Sequence, residues 1–186
     1  MRIEIHLHGY LELCEGVTRK QVETAFRPLF EYLDVDSLNE VLSLEEEQPG
    51  MVYHQREFGV EICCTLEVGG HFFAALESAM SGVGHLLEQA TALEVIIYHP
   101  DGRDEAQLIF VGPSPEAIHE AQRRRMLDEV SGLLRRQFSE SATNEVLALV
   151  NDLFKRERKV AFSVDDIAED LPSTQMPGSI GRRRLH

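Results

Sequence analysis

Two histidines one residue apart, His6 and His8, have the spacing in this chain best suited to chemistry. In an extended strand, residues i and i+2 share a face, so both imidazoles can reach a single metal ion. Imidazole also titrates near neutrality, so the pair could move protons instead. A second strand-like run brings Glu61 and Cys63, again two residues apart and on one parity. His6, His8, Glu61 and Cys63 are therefore the candidate metal or ligand set. The competing reading is a polar strand face whose histidines are hydrated, or hydrogen-bonded beneath a covering element.

An HxH pair is similar to the one on the first strand of amidohydrolase-type metal barrels. At 186 residues the chain is too short for such a barrel, and it lacks that family's later His and Asp series. The likeness stops at three residues.

The other chemistry-bearing residues are less well placed. His54, His71, His85, His99 and His119 do not pair at ligand spacing and read as surface or capping residues. Gly69-Gly70 follows a strand and precedes a helix, where backbone N–H groups could hold an anion. It lacks the third glycine of a dinucleotide fingerprint and the lysine of a phosphate loop, so turn chemistry is the better reading. No nucleophile motif such as GxSxG occurs, and no cofactor is expected. Cys14, Cys63 and Cys64 form neither a disulfide framework nor a CxxC site. Cys63 and Cys64 must face opposite sides of their strand, and Cys64 falls on the apolar side as a small core residue.

The elements that position these residues are legible from periodicity. Ile3, Ile5, Leu7, Leu11 and Leu13 alternate with Glu4, His6, His8, Tyr10 and Glu12, the mark of a strand buried on one face. Thr18 and Gln21 form a capping box for a helix carrying Val22, Ala25, Phe26, Leu29, Phe30 and Leu33. Pro28 must kink or restart that helix. Val41–Glu45 reads as strand in preference to helix. Gln48-Pro49-Gly50 is a turn, and Phe58–Val68 is the strand bearing Glu61 and Cys63. A helical stripe runs through Phe73, Leu76, Met80, Val83, Leu87 and Ala90, interrupted by Gly82 and Gly84. Leu93–Tyr98 and Ala106–Val111 are two further strands. Helices through Ile118–Phe138 and Val146–Phe154 follow.

This order, β-α-β-β-α-β and one strand more, predicts an α+β fold: a ferredoxin-like βαββαβ sandwich with an extra strand and a C-terminal αα-hairpin. The expected division is a ferredoxin-like domain over 1–112, a helical hairpin over 113–160 packed on the sheet or on a partner, and a partly disordered tail over 161–186.

Charge narrows the partners. The net charge is −14, and residues 1–111 hold 20 acids against 6 bases. Such a field repels phosphate backbones and anionic membrane surfaces. Arg123-Arg124-Arg125, Arg135-Arg136 and Lys155–Lys159 gather on the helical pair, but nucleic acid is not the expected partner. No apolar run approaches the ~20 residues needed to span a bilayer, so no membrane partner is expected. Met1–His6 reads as strand and not as signal peptide, and the expected location is cytoplasmic.

The last two strands are apolar on both parities. Ile96 and Tyr98 back onto Val95 and Ile97, and Ile109 and Val111 back onto Leu108 and Phe110. Strands of that kind need cover on both sides. Ile96, Tyr98, Ile109 and Val111 are therefore the interface candidates. The expected function is a non-catalytic module that forms a homo-oligomer or binds a protein partner. The alternative is a small metal- or ligand-binding enzyme with its pocket on the polar sheet face around His6 and His8.

Overall fold

The computed structural model describes residues 2–168, with side chains through Arg156. The chain divides into two compact units, Met1–Met126 and Leu127 onward. The first is a mixed α+β unit built on a five-stranded antiparallel sheet.

Strand β1, Ile3–Glu12, buries Ile5, Leu7 and Leu11 on its first face. Alternation alone dictates this, because a strand buried on one side hides every second residue. Helix α1, Arg19–Ala25, starts at the expected capping box of Thr18 and Gln21. Helix α2, Arg27–Leu33, restarts at once with Pro28 in its first turn. That position costs no hydrogen bond, since the missing N–H would have had no partner inside the helix. A single 3-10 turn covers Leu38–Glu40.

The second strand is not Val41–Glu45. Strand β2 is Gly50–His54, and it pairs with β3, Gly59–Val68. Val41 is buried, but Leu42 and Leu44 are exposed, so the apolar run of 41–44 has no common face to bury. Instead the segment extends the sheet edge through two bonds, with the Leu44 N–H donating to the Thr65 carbonyl and the Thr65 N–H to Ser43 Oγ. Gly50 makes the tight join possible. Its φ is +81°, and a Cβ there would lie 2.2 Å from the Val41 carbonyl oxygen.

Helix α3, Phe72–Gly84, anchors in the core through Phe72, Leu76, Met80 and Val83. The stripe starts at Phe72, which is fully buried, whereas Phe73 is partly exposed. Tyr32 packs edge-on against Phe72, and its hydroxyl accepts the Gly69 N–H at 2.7 Å. That bond occupies one donor of the Gly69-Gly70 turn, which removes it from any anion site. Gly84 closes α3 where a Cβ would meet the Gly112 carbonyl oxygen at 2.7 Å.

Strands β4, Thr91–Tyr98, and β5, Glu105–Val111, complete the sheet in the order β2-β3-β1-β4-β5. Helix α4, Pro115–Leu134, begins in the first unit, and α5, Glu140–Ala168, belongs to the second. Helix α5 thus continues past residue 160, and the remainder of the expected tail, 169–186, lies outside the described residues. Among the described side chains from Leu127 onward, Thr143 is buried but no large apolar one is, and Leu133, Phe138, Leu149 and Leu153 are exposed. No helix of the described residues is long and apolar enough to cross a membrane.

Replacing Gly50 by Ala should destabilise the fold by at least ~2 kcal/mol, because the left-handed backbone and the Val41 carbonyl both oppose a Cβ. The midpoint of chemical denaturation measures this. An unchanged midpoint would show that the join at Gly50 has room for a Cβ.

Candidate metal centre

The β1–β3 register decides which donors meet. His8 stands opposite Cys63, His6 opposite Thr65, and Tyr10 opposite Glu61. On the other side of β1, His6 faces Ile96 and His8 faces Glu94 of β4. All of these belong to the second face of the sheet, away from Ile5 and Leu7.

His6, His8 and Cys63 converge. One ligand atom from each lies within 4.8 Å of the others. The two imidazoles are near-parallel, with ring centroids 6.2 Å apart. A tetrahedral zinc site holds nitrogen and sulfur ligands at about 2.0–2.3 Å from the ion, hence about 3.3–3.8 Å from one another. Ligation would require side-chain rotation to shorten these separations, and His8 is the exposed member of the set. Two imidazoles and a thiolate form a donor set for zinc or another borderline-to-soft transition metal, and they leave a fourth position open.

Glu61 does not join them. Its carboxylate pairs with His54 Nε2 at 2.9 Å, one rung along the sheet. Sequence spacing places Glu61 on the correct face but cannot show that β2 supplies a competing histidine. His54 therefore has a partner that its position in the sequence does not reveal. Tyr10 lies beside this pair and donates weakly to Glu57 at 3.4 Å. Its hydroxyl is pushed up from its ordinary pKa by desolvation and by the surrounding carboxylates.

The electrostatics of the cluster favour a neutral ligand. The His6 imidazole is held below its ordinary pKa, first by desolvation and then by His8, with Glu94 opposing both. A neutral ring presents a lone pair to a metal. Cys64, next to Cys63, faces the core, where burial pushes its thiol up to about 12. One residue of sequence thus separates a candidate ligand from an inert core thiol.

Residues 3–155 match the model of a family of unknown function, DUF6806. The chain belongs to that family. No curated protein and no solved structure matches it. The DUF6806 match spans all five strands and therefore includes every member of the cluster.

The interface candidates split between the two faces of this DUF6806 sheet. Ile96 and Tyr98 lie on the second face and are half-buried. Val111 is in the core, and Ile109 packs against it. Register places Ala106 opposite Ile96 and Leu108 opposite Glu94, so the β5 side chains sharing the second face are Leu108 and Phe110. Parity within β5 is ambiguous because both of its faces are apolar near its end, and only the pairing resolves it. Sequence reasoning also missed Ser43 and Gln48, which reach Thr65, the neighbour of His6, from a loop without periodic signal.

Thiol chemistry should separate the three cysteines. At pH 8 an alkylating reagent should modify exposed Cys14 and spare Cys64, whose thiolate is scarce four units below its pKa. Zinc should protect Cys63 selectively. Peptide mass mapping reads all three sites, and equal Cys63 labelling with and without zinc would argue against thiolate ligation.

Proposed function

We propose that this protein binds one transition-metal ion, zinc being the best fit, through His6, His8 and Cys63. The observation that carries this reading is the convergence of three donor atoms from two adjacent strands on one face. The scaffold supports it as well. The order β2-β3-β1-β4 with the intervening helices supports reading the unit as a ferredoxin-like βαββαβ sandwich, with β5 as the extra edge strand. Such a sheet puts β1 and β3 side by side at its centre, where strand geometry is most constrained. Architecture by itself selects no function, so the donors carry the argument. The expected reducing, cytoplasmic setting agrees with a free thiol ligand.

Untagged protein should bind one equivalent of zinc by calorimetry, and Co2+ in its place should give a thiolate-to-metal absorption band. Zinc at a hundredfold excess over Kd should stabilise the fold by about 2.7 kcal/mol, raising the melting temperature. Cys63→Ser should abolish the cobalt band, His8→Ala should weaken binding strongly, and Glu61→Gln should bind as the parent does. Loss of binding in Glu61→Gln with retention in Cys63→Ser would overturn the assignment of ligands.

A second reading is favoured by one observation. Ile96, Tyr98, Phe110 and Leu108 form an incompletely covered apolar strip on the β4–β5 side of the same face. This strip supports a protein-binding role, with a second copy as the first candidate. Leu108 is exposed, so Leu108→Asp should leave the fold intact while turning a sedimenting pair into single chains. Parent protein that sediments as single chains at micromolar concentration would remove the homodimer.

A further inference from the structure

Behind His6 stands a continuous chain of hydrogen bonds. His6 Nδ1 lies 3.1 Å from Thr65 Oγ1. The Thr65 hydroxyl donates to Gln48 Oε1 at 3.0 Å, and the Ser43 hydroxyl donates to the same oxygen at 2.6 Å. Ser43 Oγ in turn accepts the backbone N–H groups of Thr65 and Glu45. Thr65 is buried, while Gln48 and Ser43 are half-buried.

A threonine hydroxyl has one proton to give. That proton is committed to Gln48 Oε1, so toward His6 the oxygen can only accept. His6 must then carry its proton on Nδ1 and keep its Nε2 lone pair free. We infer that Thr65, oriented by Gln48 and Ser43, is the positioning residue that fixes the tautomer and ring plane of His6 for metal binding. This inference rests on the metal reading for its purpose, though the tautomer itself does not.

Outer partners of this kind are a general feature of metal-bound histidines. They fix the ring, and removing them costs roughly 10–100-fold in metal affinity. Here the partner is a hydroxyl rather than a carboxylate. It is set from a loop that also bonds to the β3 backbone, so the segment 43–48 becomes part of the site without supplying a ligand. Linkage makes the effect reciprocal: an ion on Nε2 favours the same Nδ1–H that holds the loop chain together.

The test combines two measurements on the full chain. Imidazole 15N spectra of metal-free protein should show His6 protonated on Nδ1. Thr65→Val should lose that preference and bind zinc about 10–100-fold more weakly, whereas Thr65→Ser should restore both within a few fold. Gln48→Leu gives an independent check that leaves Thr65 in place. Freed of its acceptor, the Thr65 hydroxyl can turn and donate to Nδ1, which moves the proton to Nε2 and weakens zinc binding. His6 protonated on Nε2 in the parent protein, or a Thr65→Val variant with parental tautomer and affinity, would overturn the inference. If the parent shows the Nδ1–H tautomer but binds no zinc, the metal reading fails while the positioning role of Thr65 stands.

Discussion

Everything at the candidate centre depends on the register of β1 against β3. Side chains alternate across a sheet with period two, so a slip of one residue would send His6 and His8 inward and Ile5 and Leu7 into water. The buried side chains on the first face of both strands make such a slip very costly, at about 1.5–3 kcal/mol for each large apolar group exposed. Hydrophobic burial on one face therefore fixes the chemistry on the other. The core holds His8 opposite Cys63 from the other face of the sheet.

The same alternation gives adjacent residues opposite fates. Cys63 and Cys64 share a chemical type and differ by one position. One lies half-buried beside two imidazoles, and the other sits in hydrocarbon, where its thiolate is strongly disfavoured. His6 is a milder instance. Desolvation and the neighbouring His8 lower its pKa, a shift toward the neutral ring, while the Glu94 carboxylate opposes it. A half-buried face suits a metal ligand: it is dry enough to hold a neutral imidazole and open enough to admit an ion.

Where the sequence misleads, the cause is competition that a linear pattern does not record. The run Val41-Leu42-Ser43-Leu44 has strand-like composition, yet it bonds to β3 at Thr65 without forming a strand, and the regular ladder with β3 is made by Gly50–His54. Only the left-handed Gly50 lets the chain turn into that position. The loop then contributes Ser43 and Gln48 to the His6 network, a role that composition could not announce. Strand β5 misleads differently. With apolar residues on both parities, periodicity cannot say which set faces the core, and pairing with β4 assigns Val111 inward and Leu108 outward.

The sequence by itself determined the elements with a clean period or a cap: the two-faced strand β1, the Thr18 capping box, the restart at Pro28, and the faces of Cys63 and Cys64. These are local properties, set by backbone geometry over a few residues. It also placed His6, His8, Glu61 and Cys63 on one face as a candidate set. Only the tertiary structure decided that Cys63 meets the histidines while Glu61 goes to His54, and that Thr65 stands behind His6. The first and last depend on which residues lie opposite one another on β1 and β3, far apart in sequence, and the second on the pairing of β2 with β3; register across the sheet is fixed by burial summed over all of its strands.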